Sequence, residues 1–171
     1  MRPNLHRLLS IVLLLISAVA PCRAEVAKLS ASERSRLNRA PASVELLRSM
    51  RKIPRAVTAA CTSFTAGHVF GLAEPGEPFQ VTDVVDAHSK PLPSRRLIWA
   101  AQLPGRYLVH YERGGYAHSF FVLLIESPAE KHTHPERVIW GAAANQPLKD
   151  YSAFLSALKA GKLDDRLPYG Y

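Results

Sequence analysis

Two β-rich runs separated by a pair of glycines constrain this chain more than any other feature. Residues 106–113 (RYLVHYER) and 116–125 (YAHSFFVLLI) alternate in polarity and flank Gly114-Gly115. A Gly-Gly link suits a type I′ turn, whose two central residues need positive φ, so the pattern predicts a tight two-residue hairpin. In that register Tyr107, Val109 and Tyr111 share a face with His118, Phe120 and Val122. Leu108, His110 and Glu112 share the other face with Ala117, Ser119, Phe121 and Leu123. The first face is apolar except for His118 and is expected to pack on helices. The second is apolar only away from the turn. There Leu108, Phe121 and Leu123 are expected to form a contact patch for a second copy of the chain, a partner protein or a small apolar ligand.

Other elements assemble around this hairpin. Ser30 and Glu33 have capping-box spacing, which predicts a short helix ending near Arg39, before Pro41. Leu46, Leu47, Met50 and Ile53 fall at helical spacing behind Ser43, predicting a second helix; Pro54 either ends it or, as a first-turn residue, starts a third. Val57, Ala60, Cys61 and Phe64 form the core stripe of that third helix. Phe79, Val81 and Val85 predict one strand, residues 95–101 a second and residues 137–142 a last one. Leu148, Tyr151, Phe154, Leu155 and Leu158 define a closing helix stopped at Gly161, with residues 162–171 as a tail. The expected fold class is α+β: N-terminal helices, an antiparallel meander of four or five strands and a C-terminal helix, with the helices on one sheet face. The expected organisation is a signal peptide (1–24), a basic helical arm (25–55), a globular core (56–161) and the tail.

The address is read from the first 24 residues. Arg2 and Arg7 precede a 13-residue apolar run (8–20), and Pro21-Cys22-Arg23-Ala24 suits cleavage after Ala24. Thirteen residues fall short of the roughly 20 that a bilayer-spanning helix needs. The expectation is therefore an exported protein, periplasmic or secreted, and soluble after cleavage. Pro21 ahead of Cys22 argues against a lipidated first residue. The 147 residues 25–171 make one ordinary domain and keep a single cysteine, Cys61, so no intramolecular disulfide is available to them. Removing Arg2, Arg7 and Arg23 leaves 19 basic residues against 14 acidic ones, a net +5. All of that excess lies between residues 25 and 55, where weak contact with anionic membrane through residues 28–55 is one expected use. No nucleic-acid-binding motif accompanies the charge, and nucleic acid is not among the expected partners.

Three groups of side chains carry candidate chemistry. His110 lies opposite Ser119 in the predicted register, with Glu112 two residues along. This is the order carboxylate, imidazole, hydroxyl that activates a nucleophile, although no GxSxG elbow or oxyanion hole accompanies it. His118 among Tyr107, Tyr111 and Phe120 is the expected ligand-binding group, a polar residue within apolar walls. His132 and His134 are the nearest approach to a metal site, but zinc commonly takes three or four ligands. No phosphate-binding loop, HExxH or CxxC is present, and no cofactor is implied. The leading expectation is an exported binding or interaction module. The alternatives are a small hydrolase using His110, Ser119 and Glu112, and an envelope-associated protein attached through its basic arm.

Overall fold

The computed structural model describes residues 28–39, 44–65, 68–82, 91–115, 117–128 and 134–165. It is an α+β fold built on a mostly antiparallel sheet. Along the described chain run α1 (Ala31–Asn38), β1 (Leu46–Leu47), a 3₁₀ turn (Met50–Lys52), α2 (Arg55–Phe64), β2 (Leu72–Ala73), β3 (Arg95–Leu103), β4 (Arg106–Arg113), β5 (Ser119–Glu126), β6 (Arg137–Ala144), α3 (Tyr151–Lys159) and β7 (Leu163–Asp164). The sheet order is β1-β3-β4-β5-β6-β7, with β2 added parallel to the start of β3. The four long strands form the expected meander. The short strands extend it beyond the four or five foreseen.

Helices cover both faces of the sheet, not one. On one face α1 and α3 bring Leu37, Tyr151, Phe154 and Leu158 onto Trp99, Leu108, Val122, Leu124 and Trp140. On the other, α2 brings Val57, Ala60 and Cys61 onto Leu97, Val109, Tyr111, Leu123 and Ile125. Strands buried on both sides read as nearly continuous apolar runs, which is the pattern of β5 from Val122 to Ile125. The expected patch of Leu108, Phe121 and Leu123 does not form. Leu108 and Leu123 are wholly buried, and they belong to opposite cores.

The expected second helix is replaced by β1 and the 3₁₀ turn. Leu46 packs against the α1/α3 core and Leu47 is buried in the α2 core, so the leucine doublet serves two layers with the period of a strand. Beyond it Ser49 caps the 3₁₀ turn, its Oγ accepting from Arg51 N, while Glu74 accepts from Ser49 Oγ and from Met50 N. The described part of the 25–55 segment is thus built into the domain, with Leu29, Leu37, Leu47 and Ile53 buried. Ser30 caps α1 by accepting from Glu33 N, as expected, but the Glu33 carboxylate turns to Arg106 at 2.8 Å.

The hairpin between β4 and β5 is also wider than two residues. Gly114 lies where β4 meets the 79–82 segment: a Cβ there would run into the Gln80 carbonyl. Gly115, at φ 113°, donates its N–H to Val81 O at 3.0 Å. The glycines admit a distant piece of chain and do not close a tight turn, so β5 begins at Ser119. Phe79–Thr82, expected to be strand, lie here without strand pairing. Val85 falls outside the described residues. At the far end, the first residues of the expected tail form β7 on the edge of β6, and Trp140 Nε1 donates to Asp165 Oδ2 at 3.2 Å.

Candidate functional site

Register decides which side chains can meet. His110 pairs with Val122, Glu112 with Phe120 and Arg113 with Ser119. His110 was expected opposite Ser119, so the observed pairing has slipped by three residues. An odd slip moves every side chain of one strand to the other face. His110 therefore belongs to the α1/α3 face and Ser119 to the α2 face, and the expected triad is not assembled.

Each member of that triad has another task. His110 is fully buried; its Nδ1 lies 2.8 Å from Phe121 O, and its Nε2 accepts from Leu148 N at 3.0 Å. The two partners define a neutral ring that donates from Nδ1. Burial pushes its pKa down to about 4, against the opposing pull of the Phe121 carbonyl and the Glu112 charge. Ser119 donates its hydroxyl proton to Ala117 O at 3.2 Å. Glu112 binds two side chains, the Arg96 guanidinium with Nε at 2.6 Å and the His118 imidazole with Nε2 at 2.7 Å.

The expected ligand pocket divides in the same way. His118 and Phe120 do come together, with ring centroids 4.9 Å apart, and Phe79 lies 6.2 Å from the imidazole. Arg96 stacks over Phe79 at 4.4 Å, so Glu112, Arg96, His118, Phe79 and Phe120 form one polar–aromatic cluster beside the 114–118 turn. The His118 side chain is 45% exposed there. Tyr107 and Tyr111 lie on the opposite face of the sheet. Tyr107 lines a shallow groove of about 400 Å³ with Gln102, Arg106 and Ser127, at the other end of β4. His132 lies outside the described residues. His134 is exposed, with Nδ1 3.3 Å from Pro135 O, and no metal-ligating cluster of three or more groups occurs among the described residues.

Across the sheet from the His118 cluster is a pair that the sequence reading missed. Arg95 and Arg113 are direct cross-strand partners on the α2 face, with Ser119 next in the same row. Like charges directly opposed on a sheet repel. Arg95 is only 5% exposed. Its guanidinium stacks on Phe70 at 4.8 Å and hydrogen-bonds Tyr111, while its Nε is buried without a partner. Burial pushes the Arg95 pKa down, and the Arg113 charge adds to the effect. A buried donor without an acceptor costs about 1–3 kcal/mol, and a cation–π contact recovers about 0.5–2 kcal/mol. Neither arginine forms an ion pair among the described residues, and Glu112 spends its carboxylate on the other face. Once β3 and β4 are paired in the observed register, the alternation of each strand puts these two arginines on one face. That register is the signal the separate strands do not carry.

No family model, no curated protein and no solved structure matches this chain.

Proposed function

We propose that this chain is an exported binding module, cleaved after Ala24, that recognises a ligand without transforming it. The observation that carries the reading is the state of His110. A general base needs a free nitrogen within reach of the proton it removes, and both ring nitrogens of this buried histidine are committed to backbone groups. The reachable ionisable side chains at the turn end, Arg113 and His118, instead suit recognition of charge and of planar groups. Two further points support the setting. The apolar run 8–20 has signal-peptide character, and among the described residues no helix is long and apolar enough to cross a membrane.

The test is native mass spectrometry of the protein recovered from an exporting host. The expected result is a polypeptide of residues 25–171 carrying a small-molecule adduct that denaturation releases. Turnover of an ester or amide substrate that disappears in Ser119→Ala would overturn the reading. The basic segment supplies an alternative, since Arg34, Arg36, Arg39, Arg48, Arg51, Lys52 and Arg55 are all exposed. They are distributed between α1 and the 3₁₀ turn and start of α2, on opposite faces of the sheet. Salt-sensitive capture by anionic vesicles, with no small-molecule adduct, would favour envelope attachment.

A further inference from the structure

We propose that Arg95 and Arg113 form a receptor for a small oxyanion, a carboxylate or phosphate group, on the α2 face of the sheet. The proposal rests on the reading of the protein as a binding module and names the chemistry of its ligand. Arg95 and Arg113 are directly paired residues across β3 and β4, one of them 5% exposed and the other half-buried, and no carboxylate pairs with either among the described residues. An oxyanion between them converts the repulsion into two charge-assisted hydrogen-bonding contacts of the kind guanidinium forks make best. The surroundings fit such a guest. Arginine has no acceptor, so in the Arg95–Tyr111 bond the guanidinium donates, and that bond leaves the tyrosine proton for another acceptor. Tyr111 is stacked with Phe121 at 5.5 Å and meets the edge of Phe70 at 5.1 Å, so the row rests on a packed aromatic cluster. Glu112 pairs with Arg96 and hydrogen-bonds His118 on the opposite face. Among the described residues, that carboxylate is therefore spent away from the Arg95–Arg113 row.

Calorimetric titration of the purified protein with inorganic phosphate and, separately, with benzoate tests the site at matched ionic strength against chloride. Saturable 1:1 binding of at least one anion at millimolar concentration is expected, and the stronger of the two arms identifies the headgroup. Arg113→Gln should weaken that binding tenfold or more. Arg113→Lys, which keeps the charge and loses the fork, should weaken it less, and the remote Arg36→Gln should leave it unchanged. Arg113 is half-buried at the end of its strand, so its variants test the site even where Arg95→Gln fails to fold. Absence of saturable binding to either anion, or equal affinity in the wild type and Arg113→Gln, overturns the proposal. A native adduct that survives Arg113→Gln sinks this site alone and leaves the binding module standing. Turnover lost in Ser119→Ala sinks the module reading itself.

Discussion

His110 and Trp99 divide the backbone of Leu148 between them. His110 Nε2 accepts from Leu148 N at 3.0 Å, and Trp99 Nε1 donates to Leu148 O at 2.6 Å. The two rings lie 5.2 Å apart on neighbouring strands, and Leu148 immediately precedes the turn into α3. The two peptides flanking Leu148 on the approach to α3 are thereby fixed to the middle of the sheet, at a buried residue.

Replacing His110 by phenylalanine keeps a ring but leaves Leu148 N without its acceptor. An unsatisfied buried donor costs about 1–3 kcal/mol, and the expected loss of unfolding free energy is of that size. Denaturant titration measures it. His110→Gln, whose side-chain oxygen can accept, should lose less. Trp99→Phe removes the other half of the grip, and the double variant should be non-additive because both side chains hold the same residue, Leu148, and their rings are in contact.

The same histidine sets a pH dependence. Its folded pKa of about 4 lies below the ordinary 6.5, so between these values the unfolded chain binds more protons and stability rises with pH. The contribution is complete above about 6.5, declines as pH falls and is lost near pH 4. A displacement of this size corresponds to about 3 kcal/mol. Denaturation at pH 7 and pH 4.5 should differ by less in His110→Gln than in the wild type, and equal differences would refute the assignment.

Gly114→Ala should be severe for its size. The added methyl meets the Gln80 carbonyl and Val81 Cα, both backbone atoms, so a segment must move. Hydrogen exchange should report the change as faster exchange at residues 79–82. At Gly76 a methyl meets open space, and the cost is limited to the backbone strain of φ 85°, about 1 kcal/mol.

Cys61 should be chemically silent. It is buried on α2, and burial pushes its pKa up to about 12 in spite of the nearby Arg95 charge. Iodoacetamide at pH 8 should leave the native protein unmodified and alkylate it fully in denaturant, as intact mass spectrometry would show.

Local information placed much of this fold. The Ser30 cap, the Val57–Ala60–Cys61 stripe and the bounds of β4 all follow from neighbours within a turn or two of chain. What escaped depends on partners far away in sequence. Leu46-Leu47 reads as helix until both sides of the sheet are known to be covered. Gly114-Gly115 reads as a tight turn until the 79–82 segment arrives to occupy the space that the missing side chains leave. That one contact reverses the faces of β5, and the candidate site changes with it. His118 and Phe120 remain together because both shift as a unit. Ser119 parts from His110, and the Arg95–Arg113 row becomes visible only when the three strands are laid side by side.

The contact between α1 and α3 has a consequence for the order of assembly. Tyr151 donates its hydroxyl to Leu37 O at 2.8 Å, and Arg34 Nη1 reaches Leu158 O at 3.1 Å. The earliest described helix thus finds its seat only after the latest one has been made. A chain emerging N-terminus first from a ribosome holds Leu37 without its final partners until about 120 further residues have followed. Closure of that core is postponed to the end of the thread.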